Sequence, residues 1–330
     1  ATISEKSYGS SKRKWREWGG LPEVFDESKD NWHGEYLQLK DLLTEDEYEM
    51  ARASTLNAHY TSPTVIKAIY DAVEQMGFKS GNILEPACGT GNFFGMLPDG
   101  MQGSNLYGVE LDSITGRIAK QLYPSANIAI TGFEKTDLPD NFFDLAIGNV
   151  PFGNYKLTEK RYDSQNFLIH DYFFAKALDK VRPGGIVAFV TSKGTMDKKN
   201  PEVRRYLAQR AELLGAIRLP NNTFAKNAGT EVTSDIIFLQ KRDRPIDVDR
   251  DWIHLGLNEN DITLNSYFAD HPGMILGNME MVSGQFGEES ACVPIEGADL
   301  SEQLKAAVLN VEGEISEADV NRAIEAARAL

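Results

Sequence analysis

Residues 82–95 read NILEPACGTGNFFG. A short strand signal, Asn82–Glu85, runs straight into a turn that carries Gly89 and Gly91. Glycines in that place let the backbone approach a ligand closely and open the next helix. A second strand signal ends in an acid, Glu110, about 20 residues on, where a carboxylate accepts hydrogen bonds from ribose hydroxyls. The ligand should therefore contain a ribose. A dinucleotide fingerprint wants its third glycine at position 94, which is Phe94, and Gly95 comes one place late. Glu85 and Pro86 add that the strand tip carries a carboxylate, which suits a cationic ligand better than a pyrophosphate. S-adenosyl-L-methionine, with an ammonium and a sulfonium, fits this turn better than a nicotinamide cofactor does.

On either side of this turn, strand and helix signals alternate. Ser62 and Pro63 are a good cap and first residue for a helix whose apolar positions run from Val65 to Met76. Strands follow at Leu106–Leu111, Asn127–Thr131, Phe143–Gly148, Ile186–Thr191, Leu214–Leu219 and Asp235–Gln240. Helices are expected at Ile114–Leu122, Phe167–Val181 and Val203–Leu213, with a turn at Pro183-Gly184-Gly185. The pattern predicts an α/β fold: a Rossmann-like, doubly wound, mostly parallel seven-stranded sheet with an antiparallel edge hairpin and helical extensions. Residues 1–43 read as an N-terminal extension, 44–242 as the catalytic domain, and 243–330 as an acidic, partly helical C-terminal segment. Thr44 and Glu47 form a capping-box pattern for a helix running toward Leu56, and Leu300–Val311 and Ile315–Leu330 look like amphipathic helices.

The strand at Phe143–Gly148 leads into GNVPFG, residues 148–153. An exocyclic amino group is hard to methylate because its lone pair is delocalised into the ring. Two acceptors aimed at its N–H bonds draw that lone pair toward tetrahedral geometry. Asn149 offers a side-chain oxygen and Val150 a backbone carbonyl. Pro151 restricts Val150 to extended backbone, and Phe152 can stack on a flat base. Taken alone, such a tetrapeptide is most simply a turn after a strand. Its company with EPACGTG at 85–91 favours the chemical reading.

Together these motifs resemble the amino-group DNA methyltransferases, in the adenine-N6 class whose cofactor motif precedes the catalytic one. The resemblance covers about Tyr60 to Lys241. YTSP at 60–63 is similar to a cofactor-contacting segment, which implies roles for Tyr60 and Thr61. EPACGTGNF at 85–93 is similar to the cofactor loop, implying Glu85, Pro86, Ala87, Gly89, Gly91 and Phe93 as its contacts. GNVPFG resembles an N-P-P-Y/F motif, with Val150 in place of its first proline and one rigid ring lost. LPNNTF and TSDIIFLQK resemble the late segment whose aromatic, here Phe224, contacts a flipped base. After the third strand the family often has an acid followed by an aromatic. Phe133 supplies the aromatic, Gly132 stands where the acid is expected, and Glu134 is its candidate substitute.

The resemblance implies a DNA partner, with the target adenine turned out of the duplex. The wording also resembles the methylase part of large helicase–methylase proteins of bacterial mobile elements. That implies further domains in a longer polypeptide, with the grip on DNA supplied there. Restriction-modification is one setting for such chemistry.

Charge sharpens that last point. The net charge is −15, and residues 243–330 hold 18 acidic and 5 basic residues, a net −13 that leaves −2 for the rest. Phosphate binding wants Lys and Arg, so the acidic end is a poor DNA clamp. Basic and aromatic residues interleave at 12–18, KRKWREW, either as a nucleic-acid arm or as a packed extension. No apolar run approaches the ~20 residues of a membrane span. No signal-peptide pattern opens the sequence, and the two cysteines cannot make a disulfide framework, so a reducing cytoplasm is the expected setting. Cys88 reads as a small packing residue, and neither cysteine follows a proline as a cytosine-C5 nucleophile does. The five histidines show no metal-ligand spacing, and no metal is expected. His170-Asp171 reads as a surface or capping pair. Two rivals stay open: a protein glutamine methyltransferase, and a cofactor- or DNA-binding module without turnover.

Overall fold

A computed structural model of the chain describes residues 22–45, 47–49, 52, 61–224, 231–284 and 287–315. The 12–18 segment, Tyr60 and the helix expected after Ile315 lie outside the described residues. Its organising element is a seven-stranded sheet with strand order β3-β2-β1-β4-β5-β7-β6. The strands are β1 (Asn82–Glu85), β2 (Asn105–Glu110), β3 (Asn127–Ile130), β4 (Phe143–Asn149), β5 (Val181–Ser192), β6 (Ala211–Leu219) and β7 (Ser234–Lys241). The pairs among β1 to β5 are parallel, and β7 lies antiparallel between β5 and β6. The expected hairpin is therefore β6–β7, and β6 runs in the same sense as β1 to β5.

The sequence shows why this sheet is buried. The first six residues of β4, Phe143 to Gly148, are all buried, as suits a central strand covered on both faces. Strand order reverses at β1, which has β2 on one side and β4 on the other. A crevice opens at such a switch point, beyond the carboxyl ends of the strands. Before the sheet in the chain comes α1 (His33–Leu42). Val24, Phe25 and Tyr48 form a small cluster with half-buried Trp32, and it reaches Ile114. The Thr44–Glu47 capping box forms, with Glu47 N donating to Thr44 Oγ1 at 3.3 Å and Thr44 N to Glu47 Oε2 at 3.1 Å. Next comes α2 (Pro63–Gln75), whose Ser62 cap accepts from Val65 N and whose buried face includes Val65, Ile66, Ile69 and Val73.

The short α3 (Asn92–Gly95) follows the glycine turn, α4 (Ser113–Leu122) follows β2, and α5 (Ile169–Lys180) precedes β5. The Pro183-Gly184-Gly185 turn falls inside β5 as a loop-out. Phe143 pairs with Val181 and Leu145 already pairs with Ile186. After β5 come α6 (Gly194–Asp197) and α7 (Glu202–Arg210). The last helix ends short of the expected Leu213, because Ala211 is already paired with Lys241 of β7.

The acidic end packs on the sheet through two hairpins and a short helix that its sequence did not reveal, and through the helix expected from Leu300. Hairpins β8–β9 (Leu255–Leu257, Thr263–Asn265) and β10–β11 (Asn278–Gly284, Gly287–Val293) flank α8 (Ser266–Asp270), and α9 (Leu300–Val308) follows. Trp252, Phe268, Met274, Cys292, Leu304 and Val311 belong to the same apolar core as the sheet. Arg218 of β6, fully buried, binds Asp235 (2.8 Å) and Asp197 (2.8 Å), and its guanidinium lies 4.3 Å from the centre of the Phe268 ring. Asn265 N–H donates to the same Asp197 at 3.0 Å. Among the described residues, no helix is long and apolar enough to cross a membrane.

Candidate active site

Glu85 is the last residue of β1 and is 2% exposed. Its Oε2 has no hydrogen-bond partner among the described residues. Burial, then the nearby Glu110, pushes its carboxyl well above the usual carboxylate range. A carboxylate held this way is poised to meet a cation. Thr90 Oγ1, five residues on, is likewise buried without a partner among the described residues.

The loop after β1 is shaped by backbone. Cys88 N–H donates to Val109 O at 2.9 Å, continuing the β1–β2 ladder. Gly91 sits at φ +83, and a Cβ there would lie 2.5 Å from the Tyr123 ring, so only glycine fits. Gly89, at φ +55, would meet nothing within 4 Å, which leaves open space beside the loop. Glu110, at the tip of β2, closes the other side. Its Oε2 accepts from Gly89 N–H at 2.8 Å and its Oε1 from Asp112 N–H at 2.8 Å. Burial raises this carboxyl too, against those backbone bonds. Cys88 packs with Phe94, Ala119 and Ile128, the small packing role its position suggested.

The 148–153 motif meets this loop at the switch point. A Cβ on Gly148 would stand 3.4 Å from Glu85 Cγ, so the β1 tip and the motif of β4 are in van der Waals reach. Asn149 ends β4 and is half-buried. Val150 is 1% exposed, and its N–H donates to Val190 O at 3.1 Å, extending the β4–β5 ladder one residue past the strand. A proline there could not make that bond. Pro151 and Phe152 follow, both half-buried.

The remaining predicted residues divide. Thr61 and Pro86 are buried, and Ala87 is half-buried. Phe93 is buried, and its carbonyl accepts from Tyr70 OH at 2.9 Å. Phe133 is buried against Tyr172 and Phe173, under Lys176. Beside it, the Glu134 carboxylate fills the space that a Cβ on Gly132 would need. Phe224 follows β6, which ends at the same edge of the sheet, but its ring is 5% exposed and belongs to the core.

One pair departs from the sequence expectation. Asp171 does cap α5, accepting from Leu168 N–H at 3.3 Å, but neither it nor His170 is on the surface. They are 1% and 4% exposed, and Lys198 from the segment after α6 is bonded to Asp171. Burial holds the His170 imidazole below its ordinary pKa, and neither ring nitrogen has a hydrogen-bond partner among the described residues. No periodic signal could have shown this, because the covering group comes from a segment distant in sequence.

The residues present fit S-adenosyl-L-methionine. An unpartnered buried carboxylate, an open glycine cradle and a second carboxylate at the adjacent strand tip match its cation, its chain and its ribose.

Comparison with known proteins identifies the family. The chain is 32% identical over 193 residues to the "Defense against restriction protein B" of Escherichia phage P1, a match covering 57% of this chain and 8% of that protein. It is 25% identical over 136 residues to the modification methylase CviBIII of Paramecium bursaria Chlorella virus NC1A, covering 40% of this chain and 36% of that one. The chain thus spans only a small part of the phage protein and about a third of the viral methylase. Among solved structures, a modification subunit assigned to a type I restriction enzyme of Vibrio vulnificus YJ016 aligns at TM-score 0.53 and 15% identity, over 91% of this chain and 66% of that one, a likeness of fold. Residues 45–260 match the N-6 DNA Methylase family, and the chain belongs to that family.

Proposed function

We propose that this chain transfers a methyl group from S-adenosyl-L-methionine to N6 of an adenine turned out of duplex DNA. The observation that carries the reading is the close approach of Glu85 to Gly148, where a Cβ would stand 3.4 Å from Glu85 Cγ. This approach, one residue before Asn149, supports a reading in which a cationic cofactor and an amino group are held at neighbouring strand tips. The cofactor, when bound, supplies an electrophilic methyl on a sulfonium.

The chain's own residues do the rest. Glu85 receives positive charge, and Glu110 keeps acceptor capacity for ribose hydroxyls. Glu134, filling the room at Gly132, stands in for the acid expected there. Asn149 Oδ1 and the Val150 carbonyl accept from the two N–H bonds of the amino group and draw its lone pair toward the methyl. Transfer of the methyl would leave the cofactor as a neutral thioether, and the proton given up by the amino nitrogen would pass to solvent. Phe152 covers the base face. Phe224, buried here, is assigned to the base only through the family resemblance. Acceptors fixed in advance act by orientation and preorganisation, with no covalent enzyme intermediate.

The names of the relatives support a setting in restriction-modification or in defence against it. The small share of the phage protein that is covered supports a larger assembly. The Asn149→Ala variant tests the assignment: methyl transfer to DNA should fall at least ~100-fold while cofactor affinity stays within twofold. Unchanged transfer would overturn it.

A further inference from the structure

The acidic C-terminal segment is a poor partner for phosphate, so the chain's own DNA contact must be sought elsewhere. Two loops leave the sheet beside the catalytic motif. One follows β4, residues 153–168, and the other follows β5, residues 193–201. Both are cation-rich at their surfaces. Lys156 and Lys160 on the first and Lys199 on the second are exposed, and none has an ion pair among the described residues. Among the described residues Lys156 is bonded only to the neutral Asn166.

These loops are fixed, not loose. Ile169 N–H, at the start of α5, donates to Tyr155 O at 2.9 Å. Glu159 is held by Tyr172 and by Lys176, and Tyr162 OH donates to Asp179 at 2.6 Å. The loops join where Lys198 of the second meets Asp171, which caps the helix that anchors the first. A cavity of about 160 Å³ opens in the first loop, lined by Lys156, Asp163, Asn166 and the rings of Tyr162 and Phe167, with the Asp163 carboxylate also accepting from Glu159 N–H at 2.8 Å. Tyr155 stands beside Lys156, 52% exposed. An exposed ring among unpaired lysines on a braced loop is the make-up of a surface that tracks a nucleic-acid backbone.

We infer that these two loops grip the phosphates of the DNA flanking the target base, with Lys156, Lys160 and Lys199 as the contacting cations. The inference rests on the proposed DNA methylation and adds where the chain holds its substrate. Buried ion pairs position the grip, and the exposed lysines make it.

The test compares the wild-type chain with a Lys156→Gln/Lys160→Gln/Lys199→Gln variant, and with Lys120→Gln as a charge control on the exposed side of α4. Binding to a mixed-sequence duplex is followed by fluorescence anisotropy across salt concentrations, alongside S-adenosyl-L-methionine binding. The triple variant should weaken DNA binding at least tenfold. Its log–log salt slope should be shallower by about 2.7, near 0.9 for each phosphate that is no longer neutralised. Its cofactor affinity and melting temperature should be unchanged, and Lys120→Gln should match wild type. A triple variant with wild-type affinity and slope overturns the inference, as would an equal loss in Lys120→Gln. Preference for single-stranded RNA over the DNA duplex in the wild type would also overturn it. Wild-type chain that binds DNA through these lysines yet transfers no methyl would sink the proposed reaction and leave the grip standing.

Discussion

Replacing Val150 by proline restores the residue that the resembling motif carries at this position, and the structure predicts that it does harm. In this chain the backbone at Val150 is held by its N–H bond to Val190 O at 3.1 Å and by a side chain 1% exposed. Proline removes the donor. A hydrogen bond of this kind contributes about 0.5–1.5 kcal/mol net, and a buried carbonyl left unsatisfied costs about 1–3 kcal/mol. Val190 is fully buried, so the higher range applies. If the Val150 carbonyl is one of the two amino-group acceptors, part of that loss appears in the transition state. Each 1.36 kcal/mol there is about tenfold in rate. Val150→Pro should therefore lower the melting temperature and reduce kcat by roughly 5- to 100-fold. Val150→Ile, which keeps the N–H, should retain most of kcat. The assay is single-turnover methyl transfer at saturating cofactor and DNA, with thermal melts in parallel. A Val150→Pro enzyme as stable as wild type and equally fast or faster would refute the reasoning. It would mean that ring rigidity, and not the β4–β5 ladder, governs this carbonyl.

Two other predictions concern the site and its support. Glu85→Gln should weaken S-adenosyl-L-methionine binding by at least tenfold, measured by calorimetry. In the free protein Glu85 is raised, so a bound cation favours its ionised form and binding releases a proton. Wild-type affinity should then fall as pH drops below that raised pKa, by up to about tenfold per unit, and the pH dependence should vanish in Glu85→Gln. Persistence of proton release in the variant would remove Glu85 from this role. Arg218→Met should destabilise the fold by about 3–5 kcal/mol, because it strands Asp235 and Asp197 in the core. Urea melts showing a loss under about 1 kcal/mol would contradict that.

Much of the sheet could be read from the residues because its signals are local. Asn82–Glu85 and Phe143–Asn149 are short apolar runs closed by turn chemistry, and the glycine turn that follows β1 has a backbone requirement visible at Gly91. The acid at the tip of β2 was likewise placed by spacing. What stayed hidden depends on long-range covering. Asp171 is buried with Lys198, distant in sequence, bonded to it, and the acidic end joins the apolar core of the sheet where Arg218 lies against Phe268. Hairpin β10–β11 carries exposed polar residues at much of its length and the strands of β8–β9 have only three residues each, so alternation gave little signal. The meaning of Val150 also needed the structure, since only the position of Val190 shows what its N–H does.

The central claim is the reaction itself, and the most direct measurement is transfer of label from S-adenosyl-L-methionine to mixed-sequence duplex DNA, with RNA and protein acceptors alongside and the DNA digested to nucleosides. The account predicts label in N6-methyladenine from DNA, lost in Asn149→Ala. Label in protein or RNA, with none in DNA, would contradict it.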